Sequence, residues 1–290
     1  MRWGNEQRPT LLGEVNSLSE ELERLVLEGQ IKLPVLPVVA TQVINMAANP
    51  NADLEDLSGL VHQDQSLAGH ILRISNSALF SGAIPIRSLK DAINRLGFAA
   101  IREMATVITI KGQVFQSKQF GRQIERVWLH ALISGTYCKL IAIQMSVESD
   151  IPFICGLLHT VGKPILFQAV SDLGESGNVD TRNEMVLMNL VDRLHSFVGK
   201  EAAKAWKLPP EVGACCKFFK DRWDAGDCRK AVAITVLASR LANWCLEGGS
   251  NLKNNILHDS TVKELGLDPE QIEHFCEEKN EVLDSVRFFH

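Results

Sequence analysis

The sequence predicts an all-α protein, and three observations carry that expectation. Apolar residues recur at helical spacing in segment after segment, and no stretch sustains the period-two alternation of a half-buried strand. The punctuation is helical too: Ser, Asp or Pro stands ahead of the apolar stripes and Gly or Asn behind them. With 290 residues, 46% of them hydrophobic, the chain can bury one large core or two smaller ones.

The elements follow in order. Residues 14–29 form an amphipathic pattern, with Leu18, Leu22, Leu25 and Val26 on one face and Gly29 as its stop. Leu33-Pro34-Val35-Leu36-Pro37 cannot be helical, because each proline lacks an N–H and crowds the residue before it; it reads as an extended elbow. A helix starts near Pro37, turns Val39, Val43, Ile44 and Ala47 inward, and ends at Asn49-Pro50. Asp53 through Asp56 has the form of a capping box opening a short helix to His62. Ser66 is expected to cap the next helix, whose stripe is Leu67, Ile71, Leu72 and Ile74, and Ser88 another that ends at Leu96-Gly97. A longer helix spans Phe98 to about Phe115, and residues 116–119 are the weakest joint in the chain. Beyond it a long helix runs from about Phe120 to Met145, then one or two across 151–170, with a surface loop from Gly174 to Val179. Helices are expected at about 182–196, 198–206, 210–221 and 229–247, and two short ones close the chain, the last starting at Asp268-Pro269. This divides the chain into an N-terminal segment 1–19, a domain 20–245 with a front layer 20–115 and a rear part 120–245, and a C-terminal helical extension 246–290.

Composition excludes several classes of function. The net charge of -5 disfavours non-specific nucleic-acid binding, which needs cations to neutralise phosphates. The basic residues Lys217, Lys220, Arg222, Arg229 and Lys230 are interleaved with Asp221, Asp224 and Asp227, as on a solvated face. Charges interrupt every apolar run, so no membrane span is expected, and the first residues lack the apolar core of a signal peptide. Seven cysteines, an odd number with no Cys-x-x-Cys pair, read as buried apolar residues of a cytoplasmic protein.

One stretch carries the chemical signal: Cys155-Gly156-Leu157-Leu158-His159-Thr160-Val161-Gly162-Lys163. Ahead of it come the Leu-Pro elbow, Asp64-Gln65-Ser66-Leu67, Leu72-Arg73-Ile74-Ser75-Asn76-Ser77-Ala78, and Ser88-Leu89-Lys90-Asp91-Ala92-Ile93-Asn94-Arg95-Leu96-Gly97. Behind it come Leu194-His195 and Ala205-Trp206-Lys207-Leu208-Pro209. The set, in this order and at these spacings over roughly residues 20–245, resembles the HDOD family, bacterial signalling domains related to the HD metal-dependent phosphohydrolases. Gln65 stands where the family usually has proline. The resemblance implies a multi-helix HD-like bundle behind an N-terminal helical layer. It also implies that His130, His159 and His195 occupy positions of the HD metal site. The HD pattern Leu-Leu-His-Asp-x-Gly-Lys has an aspartate where this chain has Thr160, and its lysine matches Lys163. A distal aspartate corresponds to Ser239, and a family His-His pair to Phe218 and Phe219.

Hydrolytic metal centres need carboxylates or several imidazoles, and an open position for water. Thr160 and Ser239 offer neutral hydroxyls, which are poor ligands, and Phe218 and Phe219 offer none. The reading is therefore a vestigial pocket with no cofactor. The alternative is one divalent metal held by His130, His159 and His195 in a phosphohydrolase with a reduced ligand set. The expected function is a non-catalytic signal-transduction module that binds a signalling protein on another chain, or a small regulatory ligand. Partner-binding candidates lie in the loop 75–87: Asn76, Leu79, Phe80 and Ile84, with apolar groups rimmed by polar ones. Circular dichroism of the protein should show helix alone; a substantial strand component would contradict the periodicity on which the class rests.

Overall fold

The computed structural model describes residues 11–46, 54–77, 80, 85–116, 119–175, 183–219 and 222–289. Among them it contains sixteen α-helices and no strand. The front half holds α1 (Leu11–Leu27), α2 (Val38–Met46), α3 (Leu54–Gln63), α4 (Gln65–Ser75), α5 (Leu89–Leu96) and α6 (Phe98–Val114). The rear half holds α7 (Gly121–Gln144), α8 (Asp150–Leu158), α9 (Gly162–Glu175), α10 (Glu184–Ala205), α11 (Pro210–Lys217) and α12 (Arg229–Glu247). The chain closes with α13 (Ser250–Leu257), α14 (Ser260–Glu264), α15 (Pro269–Glu277) and α16 (Lys279–Val286).

Local chemistry explains many of the boundaries. Gly29 takes a φ of 65°, which its missing Cβ permits, and the Gln30 and Gly29 N–H groups return to Leu25 and Val26 carbonyls to close α1. Ser88 and Asp91 form a reciprocal capping box at α5, and Asp268 and Gln271 form another at α15. At α4 the cap is Asp64 rather than Ser66: its carboxylate accepts from the Leu67 N–H at 3.0 Å, while Ser66 already lies in the first turn. The stop at Asn49-Pro50, the box from Asp53, and Leu79 and Ile84 fall outside the described residues.

Three expectations are corrected by packing. The helices expected at 182–196 and 198–206 are one, α10, because Gly199 is a point of close approach to Cys216 and Gly162 and not a break. The end of the chain makes four helices rather than two short ones, since Asp259 caps α14 through the Thr261 N–H and Gly266, at φ 69°, ends it before Asp268 starts α15. Asp150–Glu175 is apolar and long enough, by composition, to cross a bilayer, contrary to the reading that charges interrupt every run. That stretch turns at residues 159–161, and 83% of its most apolar window is packed inside the protein.

The hydrophobic side chains form two clusters. A smaller one fills the front layer with Val43, Leu57, Ile71, Ile93, Ile101 and their neighbours. The larger one unites α7, α8, α10 and α12 with Leu18, Leu22 and Val26 of α1, Leu36 of the elbow, and Phe275 and Val282 of the C-terminal helices. Polar ties cross between front and rear. Arg102 of α6 pairs with Asp150, and Lys139 of α7 reaches Glu103 at 2.6 Å. The indole N–H of Trp206 donates to the Pro34 carbonyl at 2.9 Å, so the Trp-x-Leu-Pro stretch holds the Leu-Pro elbow across 172 residues. Trp206→Phe keeps the apolar packing and removes that bond. It should lower the unfolding free energy in urea by about 1 kcal/mol, the usual net worth of such a bond. Unchanged stability would show that the tie contributes nothing.

Candidate functional site

Each histidine of the expected pocket is delivered by a different element. His130 comes from the middle of α7, His159 from the turn after α8, and His195 from α10. Glycines let those elements approach. A Cβ on Gly156 would lie 2.7 Å from the Gly135 backbone of α7, and one on Gly162 would lie 2.0 Å from the His195 carbonyl of α10. No side chain fits at either place, so the backbones before and after His159 rest directly on α7 and α10.

The imidazoles gather. The rings of His130 and His159 are 5.5 Å apart, and His195 is close enough that its charge would bear on His159. His159 is 1% exposed. Its Nδ1 donates to the Gly156 carbonyl at 2.7 Å, so the proton sits there and Nε2 carries a bare lone pair with no hydrogen-bond partner. His130 Nε2 lies 3.3 Å from both the carbonyl and the hydroxyl oxygen of buried Ser239. Phe219 stacks on His159 with ring centroids 5.1 Å apart, and both Phe218 and Phe219 are partly buried against the larger core. Thr160 is buried, with its hydroxyl unpartnered. Lys163 is only partly exposed, and its ammonium pairs with Asp192 of α10 at 2.7 Å.

Electrostatics keep two of the rings, those of His130 and His159, neutral. Burial first, then the positive charge of Lys163, lowers the His130 pKa to about 4. His159 is held well below the ordinary imidazole range by burial and next by His130. A hydrolytic centre would need anionic ligands. The carboxylate beside the cluster, Asp192, is engaged by Lys163. Among the described residues no group of three or more His, Cys, Asp or Glu side chains is placed to hold an ion. The donor set of three imidazoles, two hydroxyls and a stacked phenyl ring does not fit a metal centre of the HD type.

The other candidates have different surroundings. Asn76 acts as a staple: its amide nitrogen donates to the Leu72 and Ile86 carbonyls, and its oxygen accepts from the Ile86 N–H at 2.8 Å. These bonds tie the end of α4 to the residues that lead into α5. Phe80 packs against the front core instead of standing free. Asp192, absent from the sequence reading, had a signal in its spacing of three residues before His195, which places both on one helix face.

Comparisons with known proteins agree with this architecture. The family model of the HDOD domain matches residues 33–221. A crystal structure of an HDOD domain protein of unknown function from Geobacter sulfurreducens superposes with a TM-score of 0.71 at 20% identity, covering 95% of this chain and 99% of that one. A candidate metal-dependent phosphohydrolase from Shewanella amazonensis SB2B gives 0.69 at 22%, covering 94% and 99%. A candidate signal transduction protein from Marinobacter aquaeolei VT8 gives 0.69 at 20%, covering 96% and 66%. An uncharacterized protein of Treponema pallidum (strain Nichols) is 23% identical over 244 residues, 81% of this chain and 47% of that protein, so the chain spans about half of its curated relative.

The pKa shift has a thermodynamic sign. Between pH 6.5 and about 4 the unfolded chain binds a proton at His130 that the folded one refuses. Stability is therefore lost as the pH falls through that window and is regained above it. The His130 ring resonance, followed by NMR, should titrate near pH 4, and His130→Gln should flatten the fall in urea stability. Titration near 6.5 would contradict the buried, Lys163-facing environment.

Proposed function

The chain belongs to the HDOD domain family, and from that premise we propose that it is a non-catalytic regulatory module, acting by binding a signalling protein on another chain or a small regulatory ligand. The observation that carries this reading is the state of the histidine cluster. His159 and His195 are buried, the His130 and His159 rings are held neutral, Thr160 and Ser239 stand where the HD pattern has aspartates, and Phe219 stacks on His159. Such a pocket has neither the anionic ligands to hold a divalent cation nor an open face for an attacking water. No cofactor is required by this function. Nucleic acid and membrane partners are set aside because of the acidic charge and the packing of the one apolar run. A cytoplasmic setting is supported by seven cysteines that form no disulfide, six of them buried.

The competing reading is a metal-dependent phosphohydrolase with His130, His159 and His195 as its ligands. It draws on the likeness to the Shewanella protein and on the bare Nε2 of His159. One assay separates the two. Phosphomonoesters, nucleotides and cyclic dinucleotides are offered to the protein with manganese, zinc or magnesium added. We expect turnover no higher than that of His159→Ala. Robust turnover that vanishes in that variant would establish the enzyme and overturn the binding module.

A further inference from the structure

A hollow of about 470 Å3 opens on α10 and α11. Leu208, Pro209 and Phe218 give it apolar walls, and Lys200, Lys204 and Lys217 border it. No carboxylate is among its described lining residues. Its volume falls within the ~300–1,000 Å3 of small-molecule sites. Lys204 and Lys217 are exposed and make no ion pair among the described residues, while Lys200 lies 3.4 Å from its neighbour Glu201. The Lys217 ammonium sits over the Phe218 ring, 4.3 Å from its centre, so one wall joins an aromatic face to a positive charge. At the lining residue Cys228, burial first and then Glu211, Cys215 and Asp227 raise the thiol.

We propose that this hollow binds a small amphipathic anion, a single carboxylate or phosphate head on an apolar body. The body lies against Leu208, Pro209 and Phe218, and the head is held among Lys200, Lys204 and Lys217. The neighbour of Phe218 is Phe219, which stacks on His159, so an occupant pressing on that wall reaches the histidine cluster. This deepens the reading of the chain as a binding module by naming a ligand class, and rests on it.

Isothermal titration calorimetry of the full chain tests the assignment. The probes are dodecanoate below its micelle concentration, dodecyltrimethylammonium as the charge control, and phosphatidylglycerol vesicles as the membrane arm. Dodecanoate should bind one to one, more weakly as salt is raised, and the cation should bind far more weakly. The doubly reversed variant Lys204→Glu, Lys217→Glu, at exposed positions that the fold does not need, should weaken dodecanoate by about tenfold. No dodecanoate binding, equal binding of the cation, an unchanged affinity in the double variant, or binding to vesicles alone would each overturn the proposal. The outcome is independent of the hydrolysis assay: a failure here removes the ligand class, and metal-dependent turnover there removes the module reading even if dodecanoate binds.

Discussion

Backbone contact at glycine is the constraint on which the rest of the site depends. Gly156 and Gly162 stand three residues before and after His159, and each touches a neighbouring helix with no room for a methyl group. Gly156 lies on Gly135 of α7, which presents His130 just over a turn earlier. Gly162 lies on the carbonyl of His195 itself. The three imidazoles therefore converge because three backbones do, whatever the side chains between them contribute. Gly199 continues the same contact toward Cys216 of α11, so the helix that leads to Phe218 and Phe219 is brought in by the same device.

Once gathered, the rings are surrounded by groups that disfavour charge. A buried imidazole loses hydration when protonated, and here Lys163 adds a positive neighbour instead of a compensating anion. The chain answers with hydrogen bonds to neutral partners, the Gly156 carbonyl for His159 and Ser239 for His130. An HD-type centre inverts this logic, because carboxylates there hold a cation against the imidazoles. Here the groups beside the rings are the hydroxyls of Thr160 and Ser239 and the phenyl ring of Phe219 stacked on His159.

Several motif residues outside the cluster turn out to be tertiary ties. The two proline-containing stretches meet through the Trp206 indole and the Pro34 carbonyl. Asn76 spends its side-chain amide on backbone groups on both sides of a loop. Arg102 and Lys139 join the front layer to the rear through acids on the other side of the joint. These polar residues of the front layer thus serve its internal ties and its attachment to the rear.

What the sequence by itself determined is what short-range chemistry controls. The helical class, the stop at Gly29, the cap at Ser88 and the helix start at Asp268-Pro269 depend on residues within about four positions, and their patterns are written consecutively in the chain. The histidines that gather were legible as well, through motif order, and the resemblance implied hydroxyl residues, Thr160 and Ser239, where the HD pattern has aspartates. What only the tertiary structure decided involves partners far apart. The pairing of Lys163 with Asp192, the continuity of α10 through Gly199, the capture of Asn76 by Ile86, and the stacking of Phe219 on His159 each need a neighbour that sequence spacing does not announce. The physical reason is range: a cap is satisfied by its own turn, whereas an imidazole's charge and a glycine's contact are set by whichever helices fold against them.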